Sequence, residues 1–304
     1  MSANKHCGLP RQAIVSMLNN NYELQSVSPP QGKVFDIASL LFEEFTMILR
    51  GSFFSQTLEM ETGLSILIPN KAVGTPPYKV AYLLHGLCGR NGDWLDYTML
   101  PAYAEAFDIM FIMPEVARSF YTDMVFGQKF FTYIHQELPT IVKKIFNISA
   151  KREDTLVIGA SMGGYGALKC ALSYPDQYGY CAAFSSACLF LKEGLERQQR
   201  YGKTAEMEKQ YGKQLLNDFE SIFGQALEWK PEYELLELAK SRSAPPRLYL
   251  ACGTADHLKD ENQRFSHELK KLNIPNRYEE WPGGHDWNFF NTALERALKE
   301  INEV

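Results

Sequence analysis

The chain has 304 residues, 45% of them hydrophobic and 22% charged, with a net charge of −5. That composition can bury a large α/β core in one domain, and a mild negative charge without a basic stripe argues against nucleic acid or an anionic membrane as partner. Apolar runs such as Ile109–Met113 fall well short of the roughly 18 residues that cross a bilayer.

Taken in chain order, residues 1–50 show no compact apolar signal core. Gln12–Leu18 is broken by polar residues and followed by three asparagines, so a cytoplasmic location is expected. This segment reads as a poorly ordered N-terminal extension, or an upstream stretch from too early a start codon, ahead of one domain spanning 51–304. Tyr78–Leu84 reads as a buried strand ending in His85-Gly86-Leu87-Cys88-Gly89. Two glycines free that loop to aim a backbone N–H inward, from Leu87 or alternatively Cys88, while His85 reads as a structural residue at the strand end.

Thr155–Ile158 is a short β-branched run of the kind buried on both faces of a sheet. It leads through Gly159-Ala160-Ser161-Met162-Gly163 into a helical stretch. So sharp a turn forces Ser161 into a strained conformation that bulky neighbours would obstruct, and Gly159 and Gly163 remove that obstruction. The pattern predicts an exposed nucleophilic hydroxyl at a helix N-terminus, with the amide of Met162 available to an anion beside it.

Cys181–Ser185 reads as the next strand, and about 187–245 as a helical insertion near the site. Within it Leu215, Phe219, Ile222 and Phe223 recur at helical spacing before Gly224, a candidate C-cap. These helices either pack on the sheet or wall the pocket. Arg247–Cys252 is a further strand, with Asp256 just past its end. After a polar helix carrying His267 on a solvated face comes Arg277–Trp281, then the loop Pro282-Gly283-Gly284-His285-Asp286-Trp287.

A serine nucleophile needs a base and a group that orients it, and this topology supplies them in the order acid, then histidine. His285 is the expected base and Asp256 the acid. Asp260 reads as a helix N-cap and Asp286 is adjacent to the base, so both are weaker candidates, and His257 is expected to serve the loop itself or to close the pocket rather than to replace His285. Trp94, Tyr97, Tyr121 and Trp287 either line the pocket or belong to the core. The cysteines Cys7, Cys88, Cys170, Cys181, Cys188 and Cys252 show no C-x-x-C spacing and are expected to be reduced. No metal site or cofactor is expected.

These segments, with Phe53–Leu58, Asp93-Trp94, Met113-Pro114, Ser119–Thr122 and Glu137–Pro139, resemble α/β-hydrolase esterases of the esterase D group. That group includes S-formylglutathione hydrolases, feruloyl and acetyl-xylan esterases and bacterial tributyrin esterases, the last being the closest in pattern. The expected fold is a three-layer sandwich with a mostly parallel, eight-stranded sheet and an antiparallel N-terminal hairpin. The resemblance implies hydrolysis of short-chain acyl or aryl esters, acetylated or feruloylated sugars among them, through Ser161, Asp256 and His285. It also implies a small-molecule ester as partner and allows a homo-oligomer. One departure bears on substrate: formylglutathione hydrolases usually carry histidine before the nucleophile, and here that residue is Ala160. Transfer of the acyl group to an alcohol, or a non-catalytic binding role, are the remaining alternatives.

Overall fold

Strand β3 (Lys79–Leu84) carries the logic of the architecture. Successive side chains point to opposite faces of a sheet, so Val80, Tyr82 and Leu84 enter one hydrophobic cluster while Ala81 and Leu83 enter a second. An apolar run without polar alternation is what a strand covered on both sides requires. The structure, a computed structural model, describes residues 46–69, 77–240 and 244–302. The expected extension, through residue 45, lies outside the described residues.

The other strands are β1 (Met47–Ser55), β2 (Met60–Ile68), β4 (Ile109–Pro114), β5 (Thr155–Ala160), β6 (Tyr180–Phe184), β7 (Arg247–Gly253) and β8 (Arg277–Trp281). Strand β1 starts at Met47, ahead of the boundary at 51 read from the sequence. The eight strands form one sheet in the order β1-β2-β4-β3-β5-β6-β7-β8. The β1–β2 hairpin and the β2–β4 pair are antiparallel, and every other pair is parallel. The expected sheet and N-terminal hairpin are therefore present.

One layer holds α1 (Asp93–Tyr97), α2 (Leu100–Phe107) and the last helix, which buries Phe290, Ala293, Leu294, Ala297 and Leu298 along one helical stripe. The opposite layer holds α3 (Leu138–Ile145), α4 (Met162–Ser173), three of the four helices of the insertion, and α9 (Lys259–Lys271). The insertion helices are α5 (Leu191–Tyr201), α6 (Ala205–Tyr211), α7 (Lys213–Phe223) and α8 (Leu235–Lys240), and the last helix is α10 (Trp287–Asn302). In α7 the expected Phe219, Ile222 and Phe223 are buried, and Gly224 ends the helix at a φ of 85°.

Helix α4 is buried from Met162 through Leu172, including the charged Lys169. The Lys169 ammonium donates to Thr122 Oγ1 at 2.8 Å and sits 4.5 Å from the centre of the Phe131 ring. Burial pulls its pKa down from 10.5 to about 8.

The topology also fixes where a ligand can bind. Strand β3 lies between β4 and β5, so the chain leaves β3 to one side and returns on the other. The loops after β3 and β5 diverge there and open a crevice at the carboxyl ends of the strands, the usual ligand position in such sheets.

Candidate active site

Between the end of β5 at Ala160 and the start of α4 at Met162, Ser161 alone makes the turn, with φ 57° and ψ −120°. L-residues rarely adopt that conformation, and it persists only where the surroundings enforce it. Here they do. The Ser161 N–H donates to the Phe184 carbonyl at 2.9 Å, and its own carbonyl accepts from Gly164 and Ala187. A Cβ on Gly159 would lie 2.1 Å from the Gly163 carbonyl oxygen, closer than any side chain tolerates. Met162 is the first residue of α4, so its amide has no acceptor within the helix.

Loops after β7 and β8 meet beside this turn. Thr254 and Ala255 donate their N–H groups to the carbonyls of Trp281 and Gly283, both at 3.0 Å. Gly253 is needed for that approach, since a Cβ there would lie 2.3 Å from Gly283 O. The clamp brings Asp256 and His285 together: His285 Nδ1 lies 2.9 Å from Asp256 Oδ2. A carboxylate can only accept, so the proton sits on Nδ1 and Nε2 keeps its lone pair. Burial alone would raise the Asp256 pKa. The hydrogen bonds from His285, the Leu258 N–H and Ser185 outweigh it and hold the carboxyl below its ordinary value.

The rival residues have other positions. Asp286 Oδ1 accepts the Phe289 N–H at 3.0 Å and so caps the start of α10. Asp260, expected as an N-cap, lies inside the first turn of α9, whose N-cap is Leu258. There its charge suits the positive end of the helix. His267 is exposed on α9. His85 is buried, with Nδ1 2.8 Å from the Gly86 carbonyl and Nε2 accepting the Val116 N–H at 3.2 Å, a structural role.

Ser161 and His285 share the wall of a cavity of about 530 Å³ with Gly86, Leu87, Tyr97 and Trp287, a size suited to a small organic ligand. Trp287 is thus placed on the cavity. Trp94 and Tyr121 are not. Trp94 is 1% exposed, stacks edge-on against Trp287 and donates to the Leu84 carbonyl. Tyr121 is fully buried with its hydroxyl on the His85 carbonyl. Each supports the loop after β3 from below, because its polar tip finds a backbone partner there.

Asp93 and Phe290 also line the cavity; Asp93 falls in a segment that carries the family resemblance but was given no role, and Phe290 had no distinguishing pattern in the sequence. No described residue of α5 to α8 is in that wall. The insertion reaches the site indirectly: Arg118 donates from Nε to Asp218 of α7 at 2.8 Å and from Nη1 to the Cys88 sulfur. Cys88 is exposed at the cavity with a φ of 64°, whereas Cys170, Cys181 and Cys252 are buried.

The sheet order and the serine turn define an α/β hydrolase. The chain belongs to the Esterase family, whose sequence profile matches residues 55–301. An acetyl esterase of Caldicellulosiruptor saccharolyticus is 30% identical over 267 residues, covering 84% of this chain and 98% of that protein. The fluorophosphonate-binding serine hydrolase F of Staphylococcus aureus superposes with a TM-score of 0.71 at 27% identity, over 84% of this chain and 98% of that one. An S-formylglutathione hydrolase of the same organism gives 0.69 at 27% identity, over 85% and 99%. The chain is a carboxylic ester hydrolase.

Proposed function

We propose that this esterase hydrolyses short-chain acyl or aryl esters through an acyl-enzyme on Ser161, with His285 as base and Asp256 as the residue that orients it. The observation that carries this reading is a base whose Nδ1 is occupied by Asp256 and which shares one cavity wall with a serine held in a strained turn.

Ser161 Oγ attacks the ester carbonyl carbon as its proton passes to His285 Nε2. The developing oxyanion is held by the N–H groups of Leu87 and Met162. Collapse expels the alcohol, which takes the proton back from the imidazolium, and water then repeats the sequence on the acyl group. Asp256, below its ordinary pKa, stays ionised and stabilises the transient imidazolium.

The similarity to an acetyl esterase favours a short acyl group. S-Formylglutathione hydrolysis is the second reading, favoured by the S. aureus likeness and disfavoured by Ala160 before the serine. A rate profile from acetyl to octanoyl p-nitrophenyl esters, with methyl ferulate, acetylated xylan and S-formylglutathione included, decides between them. The short-chain reading expects kcat/KM to peak at two to four acyl carbons; a peak on the formyl thioester rejects it. Added acceptor alcohols measure any share of acyl transfer.

A further inference from the structure

Asp256 has a second imidazole beside it that the ester chemistry does not use. His257 Nδ1 lies 3.4 Å from Asp256 Oδ1, while His285 Nδ1 lies 2.9 Å from Oδ2. The two imidazole rings are 5.0 Å apart at their centres, inclined at 59°. One donor atom from each of the three residues falls within 4.8 Å of the others.

We propose that Asp256, His257 and His285 bind a borderline transition-metal dication such as Zn²⁺, and that its binding switches the esterase off. Zinc–nitrogen and zinc–oxygen bonds of about 2.0–2.2 Å place tetrahedral donors roughly 3.3–3.5 Å apart. The 3.4 Å contact from His257 to Oδ1 already has that spacing, and the 2.9 Å contact from His285 to Oδ2 is a hydrogen bond that lengthens by about half an ångström when a metal ion replaces its proton. The remaining adjustment falls on His257, whose side chain is 72% exposed and has room to rotate. Asp256 needs no reorientation, because the Leu258 N–H already fixes Oδ1 at 2.8 Å and such outer partners hold a ligand in place. Two imidazoles and one carboxylate suit zinc, copper or nickel and are a poor match for magnesium or calcium, which take oxygen ligands.

The inhibitory step follows from proton placement and rests on the assignment of His285 as base. Neutral His285 carries one ring proton, on Nδ1. A metal ion binds Nδ1 only when the Nδ1–H bond breaks and frees that lone pair, and in the neutral ring the proton is then taken up by Nε2. Nε2 then becomes a donor and is unable to receive the proton of Ser161, so turnover stops while the fold is unchanged. Removing the metal restores the original tautomer.

The ligands were invisible as a set in the sequence, since His285 is remote from Asp256 and His257 in the chain. The test is zinc chloride titrated into chelator-treated protein. Hydrolysis of p-nitrophenyl acetate falls towards zero, returns on adding EDTA and is unaffected by magnesium. In His257→Ala and His257→Gln, each scaled to its own metal-free rate, half-inhibition needs at least about tenfold more zinc. Calorimetry on Ser161→Ala, which needs no turnover, detects one zinc per chain, and the site is lost in the Ser161→Ala/His257→Ala double variant. Equal zinc sensitivity with and without His257, or no one-to-one binding to Ser161→Ala, overturns the site. Binding without inhibition overturns the switch. Full esterase activity in Ser161→Ala overturns the nucleophile assignment instead and leaves the calorimetric result standing.

Discussion

A Cβ placed on Gly163 would lie 2.2 Å from the carbonyl oxygen of Leu84, at the end of the neighbouring strand β3. The helix that carries the serine turn is therefore pressed against the strand that leads into the loop holding Leu87. Gly163→Ala has to push the two apart, and it is expected to abolish activity and to lower stability by several kcal/mol, the range of severe overpacking. Gly194→Ala, where a Cβ meets nothing within 4 Å, is the matched control and should leave activity unchanged while raising stability by up to about 1 kcal/mol through helix propensity. Thermal melts and p-nitrophenyl acetate rates of the two variants check this.

Asp256→Asn keeps the shape of the side chain but removes the obligate acceptor that sets the His285 tautomer. A loss of about 10⁴ in kcat with a smaller change in KM is expected. Folding should persist, as read by circular dichroism. A loss below tenfold would remove Asp256 from the mechanism.

Trp94 and Trp287 touch, with ring centres 5.2 Å apart, yet only Trp287 faces the cavity. Trp94→Ala should destabilise the protein by about 3–5 kcal/mol through lost packing. Trp287→Ala should act mainly on KM and on the acyl-chain preference. Urea unfolding paired with chain-length profiles separates the two effects.

Lys169 supplies a pH dependence. Its folded pKa of about 8 lies below the ordinary 10.5, so the unfolded chain binds more protons between these values and stability rises with pH through that window. Below about pH 8 both states are protonated and the full penalty of burying the charge is present. Relative to Lys169→Met, the native protein should gain about 3 kcal/mol between pH 8 and 10.5. Urea midpoints of both proteins near pH 7.5 and pH 10 measure it, and a constant difference contradicts it.

Much of the site could be read from local pattern because its chemistry is tied to chain geometry. A strand-to-helix turn leaves a residue-level signature in Gly159 and Gly163, and residues just past strand ends, such as Asp256 and His285, are confined to one edge of a parallel sheet. Burial was the harder property. Trp94 and Tyr121 sit in loop-like sequence, and nothing local separates an aromatic that lines a cavity from one that supports it. Lys169 was similarly hidden, since α4 is buried on every side and has no polar face to mark its exposure. The link from α7 to Cys88 through Arg118 joins residues 100 and 30 positions apart. No periodicity reports such a contact.

Whether Ser161 forms the covalent intermediate is tested most directly by mass spectrometry of the protein after reaction with a fluorophosphonate. The account predicts one phosphonyl adduct per chain, on the peptide containing Ser161, with parallel loss of ester hydrolysis, and neither adduct nor hydrolysis in Ser161→Ala. An adduct on a different residue, or a Ser161→Ala protein that still hydrolyses p-nitrophenyl acetate at the native rate, would contradict it.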